Sequence, residues 1–252
     1  MTIHKRKIIN VVRRRNATIT FFASGNNLYV EKKYNSTYQV AEEVKAYSEL
    51  EKVADRIGDI STAEIVEVDE VANAICLRHV DGITLSDSFA KNGLKCTLSN
   101  WTEAILRLLV EAHRSGAEFD FDPSNFIISN DMSTLTVIDP VCRVDDLAHV
   151  ALVIFIFGLF KYRIRYAYRL YDYKEFWEIW QSFIRRYSSG VGVGPEEIYL
   201  ELSKYSKKVA SWNCIYSKNE RISVWLFRAI VLAFFWRLSG RWFSYMSSFS
   251  SR

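Results

Sequence analysis

Apolar and polar positions alternate along residues 18 to 34, where "TITFFA" and "NLYVEKKY" flank the turn-forming cluster "SGNN"; this period of two predicts a β-hairpin. The period lengthens in "TYQVAEEVKAYSELEKVADRIG", where Val40, Val44, Tyr47 and Leu50 share one face and predict an amphipathic helix. "AEIVEVDEVANAICLRHVDG" returns to β-rich runs, two of them around a turn at Asp69 and Glu70. From Leu85 onward the pattern is helical. In "SNWTEAILRLLVEAHRSG" the pair Asn100 and Glu103 predicts a capping box at the start, and Gly116 a stop. The order predicts an α+β, bilobal chain: a small β-rich lobe over residues 1–81 and a larger helical lobe over 82–252, joined near Asp81 and Gly82. No internal repeat or low-complexity segment interrupts it.

Two apolar stretches, Val150 to Phe160 and Val224 to Trp236, resemble membrane segments, but the first is too short and Arg228 interrupts the second. Both are expected to be buried helices. A hydrophobic content of 49% with 25% charged residues describes an ordered globular chain, with sizeable core capacity in 252 residues. Cys76, Cys96, Cys142 and Cys214 are dispersed without a C-x-x-C pair, and the N-terminus has no signal-peptide run. A reduced, cytoplasmic protein without structural zinc is expected.

The segment "EFDFDPSNFIIS" (Glu118 to Ser129) places acceptor-only carboxylates among apolar residues, where they require a cation or donors to be buried. "NFIIS" and "TLTVID" read as strands around "NDMS", which brings Asn125 and Asp139 to the open end of one hairpin. Two hard oxygen ligands there suit Mg²⁺, whose shell is completed by phosphate and water. Asp120 lies on the loop leading into that end. The plainer reading of Asp122-Pro123-Ser124 is a turn, and that of Lys32 and Lys33 is solvated edge-strand charge.

The spacing Asp120, Asn125, Asp139 resembles a kinase catalytic loop followed by its metal-binding aspartate. "DFDPSN" and "VIDP" are similar to the D-x-x-P-x-N loop and hydrophobic-I-D strand end of the protein-kinase-like superfamily, in particular its aminoglycoside phosphotransferase and lipopolysaccharide (Kdo/heptose) kinase branches. "LYVEKKY" and "EEVKAYSEL" fall where the family's ATP lysine strand and its partner helix belong, "LRHVDGITLSD" resembles its hinge, "HRSG" the end of the helix before the catalytic loop and "RVDDLAHVAL" the entry of the next long helix, so the likeness spans roughly residues 18 to 160.

The resemblance implies ATP and Mg²⁺ as cofactors and a hydroxyl group as phosphate acceptor. Asp120 would accept or orient the attacking hydroxyl's proton, and Asn125 and Asp139 would hold the metal on the phosphates. Lys32 would contact the α and β phosphates and be held by Glu43. Strand alternation favours Lys32 over Lys33, because Lys32 shares the face of Leu28 and Val30; Glu42 is the alternative to Glu43. Cys76 to Val80 would line the adenine site, with backbone near His79 and Val80 reading the base. Asp145 or Asp146 would brace the catalytic loop or cap the following helix. His113 reads as structural, and His79 and His149 lack metal-ligand spacing. Glu118 stands two residues before Asp120 where the family carries histidine, Pro140-Val141 replaces Phe-Gly, and the first hairpin has only Gly25.

Lys5, Arg6, Lys7, Arg13, Arg14 and Arg15 fall in the first sixteen residues without an acid, and the segments Lys161 to Tyr171 and Arg221 to Arg252 combine basic with aromatic residues. This chemistry suits an anionic membrane surface, and nucleic acid equally, but no nucleic-acid motif accompanies it. Two functions from different classes follow. One is an ATP- and Mg²⁺-dependent kinase for a carbohydrate or glycolipid hydroxyl, cytoplasmic and peripheral to the inner face of a membrane. The other is a catalytically inactive kinase-type scaffold, with a kinase for a soluble small molecule or protein as a further variant.

Overall fold

The β-hairpin expected over residues 18 to 34 forms as β2 (Ala17–Ser24) and β3 (Asn27–Tyr34), in unbroken antiparallel register from Ala17↔Tyr34 to Ser24↔Asn27. In the computed structural model the described residues are 6–14, 16–35, 40–93, 97–142, 144, 147–165 and 173–211. An additional strand, β1 (Lys7–Arg13), precedes the hairpin and pairs with β2. Its alternation is broken by a register shift between Ile8 and Asn10, and Ile8, Ile9 and Val11 stay exposed on this edge strand. A strand that buries neither face has no period of two to read. Arg6 pairs with Glu31 and lies 4.8 Å above the Phe22 ring.

Helix α1 (Val40–Ile57) follows and buries Val40, Glu43, Tyr47, Leu50, Val53 and Ile57, the stripe its spacing predicts. After the short β4 (Ile60–Thr62), strands β5 (Ile65–Asp69) and β6 (Ala74–Arg78) complete a five-stranded sheet of order β1-β2-β3-β6-β5. The turn between them spans the expected Asp69 and Glu70, and Asp69 accepts a hydrogen bond from the Ala72 N–H.

Strand β7 (Ile83–Thr84) opens the second half. Gly82 is required just before it, because a Cβ there would lie 2.1 Å from the Ile128 carbonyl oxygen. β8 (Phe126–Ile128) and β9 (Leu135–Val137) form the second expected hairpin. Together these strands make a four-stranded sheet, β4-β9-β8-β7, in which β4 runs parallel to β9. The short β4 therefore carries the first half of the chain into the sheet of the second.

Helices α2 (Leu85–Asn92), α3 (Thr102–Arg114), α4 (Val150–Arg165), α5 (Tyr173–Val191) and α6 (Pro195–Ser211) surround that sheet. Its core, including Ile105, Leu109, Phe126, Phe155 and Phe183, reaches back across Gly82 to Leu50, Val53 and Ile57 of α1. The architecture is α+β, a β-rich sheet first and helices after it. The capping box expected at α3 does not form: Trp101 holds the cap position without a side-chain hydrogen bond, and Glu103 pairs with Arg186. Asn100 belongs instead to a turn in which the Trp101 N–H donates to the Leu98 carbonyl. Gly116 does end the helix region, with a positive φ of 67°.

The apolar stretch from Val150 is buried from Val150 through Leu159, as a helix apolar on every side must be. No helix among the described residues is long and apolar enough to cross a membrane. His113 and His149 stack with ring centroids 4.8 Å apart, and His149 lies within 3.2 Å of the Tyr187 hydroxyl and 3.3 Å of Glu197. They join helices as structural residues. Asp145, Asp146, Arg15, Lys5, Tyr171 and Val224 to Arg252 lie outside the described residues.

Candidate functional site

Unbroken pairing of β3 with β2 and β6 decides which way its side chains point. Lys32 lies opposite Ile19 and Ile75 and is buried, whereas Lys33 is exposed. The Lys32 ammonium donates to the Glu43 carboxylate at 2.7 Å and to Asp139 Oδ1 at 3.1 Å. Glu43 is buried on the inner face of α1 and Glu42 is exposed, as a helix turning 100° per residue requires. Burial, the largest single influence, pulls the Lys32 pKa down. The Asp139 and Glu43 carboxylates around it more than reverse this and hold it above the ordinary lysine value, so Lys32 stays charged.

The acidic hairpin supplies the opposite wall. Asn125 ends a one-turn 3₁₀ helix, Pro123–Asn125, capped by Asp122, whose Oδ1 accepts from the Ser124 N–H and hydroxyl. The turn anticipated at Asp122-Pro123-Ser124 is thus real, and it is what aims Asn125. Asn125 accepts the Ile138 N–H at 2.7 Å through its carbonyl, closing the hairpin mouth beside Asp139. Its side-chain amide nitrogen donates to the carbonyls of Asp120 (3.0 Å) and Asp139 (3.3 Å). Two carbonyl acceptors fix the nitrogen's side of the amide, so Oδ1 is left as the outward acceptor. The Asp120 N–H donates to the Pro140 carbonyl at 3.0 Å, and Phe119 pairs with Val141, which sets Asp120 beside Asp139.

Asp120, Asp122, Asp139 and Lys32 line one cleft of about 540 Å³, together with Arg14, Asn16, Ile19, Tyr34, Val141, Val144, Ile154 and Tyr205. The Asp139 side chain is 56% exposed there, whereas Lys32 is 11% exposed. The carboxylate can therefore turn to a ligand while the ammonium stays enclosed. Among the described residues no group of three His, Cys, Asp or Glu side chains is close enough together to hold a metal ion by itself. A cation here would be held by Asp139 and the Asn125 Oδ1, two hard oxygens, with ligand and water completing the shell. That donor set fits Mg²⁺ and not a thiolate- or imidazole-seeking metal.

The expected adenine-side residues divide. Val80, like Ile138 and Val44, packs against the cluster of Ile75, Leu77 and Tyr47 on the Lys32 side of the sheet. His79 lies at the end of β6, its N–H donated to the Leu28 carbonyl at 3.0 Å, so that donor is spent within the sheet. Cys76 requires a correction: it lies opposite Glu31 and packs with Phe22 and Tyr29 on the far face, while Ile75 and Leu77 occupy the Lys32 face. A contiguous run along a strand cannot line one pocket with every side chain.

Glu118 is exposed and away from the cleft, because the extended segment alternates Glu118 out and Phe119 in before reaching Asp120. Four site features escaped the sequence reading. The cleft-side turn is β1–β2, carrying Arg14 and Asn16; Gly25 lies at the opposite end of the meander. The turn is held by the Arg14 N–H to the Ala17 carbonyl (2.8 Å) and the Asn35 N–H to the Asn16 carbonyl (3.0 Å). Tyr47, one helical turn beyond Glu43, accepts the Asp139 N–H at 3.0 Å. Gly158 of α4 lets the loop that carries Asp120, Asp122 and Pro123 dock, since a Cβ there would lie 2.2 Å from Pro123 Cδ. Tyr205 of α6 closes the far end. A tyrosine on an apolar helix face and a lone glycine in an apolar helix were the available signals. The chain matches no family model and no curated protein sequence, so the functional reading stands on this geometry.

Proposed function

We propose that this chain is an ATP- and Mg²⁺-dependent kinase of protein-kinase-like, bilobal fold that phosphorylates a hydroxyl of a carbohydrate or glycolipid acceptor. The observation that carries the reading is Lys32 held between Glu43 (2.7 Å) and Asp139 (3.1 Å) in the cleft that also holds Asp120, with Asn125 tied to the backbone of both aspartates.

In this reading the adenine rests on the Lys32 face of the sheet near Val30, Val80 and Ile138, with the His79 carbonyl and the Val80 backbone reading its edge. Lys32 moves its charge from Asp139 to the α and β phosphates while Glu43 keeps it oriented. Arg14 approaches the phosphates from the β1–β2 turn. Asp139 and the Asn125 Oδ1 would hold Mg²⁺, which when bound neutralises phosphate charge. Asp120 orients the acceptor hydroxyl and takes its proton as the oxygen attacks the γ-phosphorus and the bond to the β–γ bridging oxygen breaks. ADP leaves with that oxygen. Positioning and charge neutralisation supply most of the catalysis, so few groups suffice.

Tyr34, Asp122 and Tyr205 on the remaining cleft wall support a hydroxyl-rich acceptor, since carboxylates accept from hydroxyls and aromatic rings cover sugar faces. The test is a thermal-shift titration followed by transfer of labelled γ-phosphate to soluble sugars and to glycolipids. ATP with Mg²⁺ is expected to raise the unfolding temperature well beyond either alone. Lack of any such stabilisation would contradict the kinase reading. Co-sedimentation with anionic vesicles at low and raised salt separates a membrane-held acceptor from a soluble one.

A further inference from the structure

Tyr47 is buried on α1, four residues after Glu43, so both side chains leave the helix on the face that meets the cleft. Its phenolic oxygen accepts the Asp139 N–H at 3.0 Å. Asp139 has a φ of 52°, in the left-handed region that non-glycine residues occupy at a cost and keep only when their surroundings hold them there. Two side chains do so. Tyr47 takes the N–H of Asp139, and the Asn125 amide nitrogen reaches its carbonyl at 3.3 Å. With both backbone groups tied, the Asp139 carboxylate is directed into the cleft toward Lys32.

Three contacts then close a ring: α1 to Lys32 through Glu43, Lys32 to Asp139, and Asp139 back to α1 through Tyr47. When Lys32 and Asp139 turn to a ligand, their mutual contact is replaced, and the Tyr47 bond remains as the hydrogen bond between α1 and Asp139. Glu43 alone orients the lysine and says nothing to Asp139's backbone. Burial pushes the Tyr47 hydroxyl's pKa above its usual value, so it remains a neutral phenol able to accept this bond.

We propose that Tyr47 is a positioning residue that makes cation binding at Asp139 conditional on α1 being docked. The proposal rests on the kinase reading for the identity of the ligand, but the positioning itself is a property of the fold. It links the two events thermodynamically: ligand at Asp139 favours docked α1, and loss of the Tyr47 bond weakens the ligand without touching the Lys32–Glu43 pair.

The test uses Tyr47→Phe in the full chain, which keeps the ring and removes only the acceptor oxygen. Binding of Mg²⁺-ATP and of adenosine is measured by calorimetry, with amide exchange followed across residues 135–141. The expected result is an affinity for Mg²⁺-ATP about tenfold lower, unchanged adenosine affinity and faster exchange at the Asp139 amide. Unchanged Mg²⁺-ATP affinity, or unchanged exchange, would overturn the positioning role. An equal loss of adenosine and Mg²⁺-ATP binding would also overturn it, since general loosening of the fold would then account for both. If the wild-type chain binds neither ligand, the kinase reading fails, and the exchange comparison alone decides: faster exchange in the variant supports the clamp and equal exchange overturns it.

Discussion

The two walls of the cleft differ in kind. The five-stranded sheet contributes Arg14, Asn16 and Lys32, and the hairpin half contributes Asp120, Asp122 and Asp139, with Asn125 tied to the backbone behind them. One wall carries cations that can only donate. The other carries carboxylates and an amide whose donor end is already used. Donors of that strength call for an anion, and converging acceptors call for a cation. In the described structure Lys32 and Asp139 satisfy each other at 3.1 Å. A metal-bound polyphosphate would satisfy both at once, which a neutral ligand or a simple anion would not. Surface arginines behave otherwise: Arg78, Arg107 and Arg186 are each paired with a carboxylate of their own. Arg14 makes no such pair among the described residues.

The sharpest way to break this comparison is to separate the chemistry of the acidic wall from its binding. Asp120→Asn keeps the size and the backbone contacts but removes the proposed base. It is expected to lower phosphate transfer by about a thousandfold while leaving ATP affinity within about twofold, as read by steady-state transfer and calorimetry on the same preparation. A parallel fall in both would place Asp120 among the ATP contacts.

A smaller effect is expected where the acidic wall is moved and not neutralised. Gly158→Ala places a carbon 2.2 Å from Pro123 Cδ and 3.4 Å from Asp122 Oδ2. The loop must shift, at a cost of about 2 kcal/mol by overpacking. A lower unfolding temperature together with slower transfer is expected, with the Lys32–Glu43 contact intact. The smallest effect concerns the cationic wall: Arg14→Gln is expected to weaken ATP by about fivefold, the scale of one partly exposed charge contact, and to leave adenosine binding unchanged. Equal losses for the two ligands would place Arg14 away from the phosphates.

Much of this site was legible in the residues. The choice of Lys32 over Lys33 followed from alternation because β3 is paired on both sides without a bulge, so the period of two survives intact. Glu43 over Glu42 was not decided by pattern, since adjacent carboxylates near a helix start differ only in which face packs. The convergence of Asn125 and Asp139 was legible because a short hairpin brings its ends together whatever surrounds it. β1 was hidden by its register shift and its exposed apolar residues, and with it the fact that Arg14 and Asn16, not Gly25, face the cleft. Tyr47 was visible as a member of the buried stripe, but its partner lies 92 positions away in sequence, a distance no local pattern spans. The Cys76 expectation failed through treating a strand segment as one surface.

The most direct test of the central claim is a calorimetric titration of ATP into the wild-type chain and into Asp139→Ala, each with and without Mg²⁺. The two-wall arrangement requires that Mg²⁺ strengthen ATP binding to the wild type by at least about tenfold and that Asp139→Ala abolish this gain while weak, metal-independent binding through Lys32 persists. ATP binding that is equal with and without Mg²⁺ in the wild type, or a Mg²⁺ gain that survives in Asp139→Ala, would contradict it.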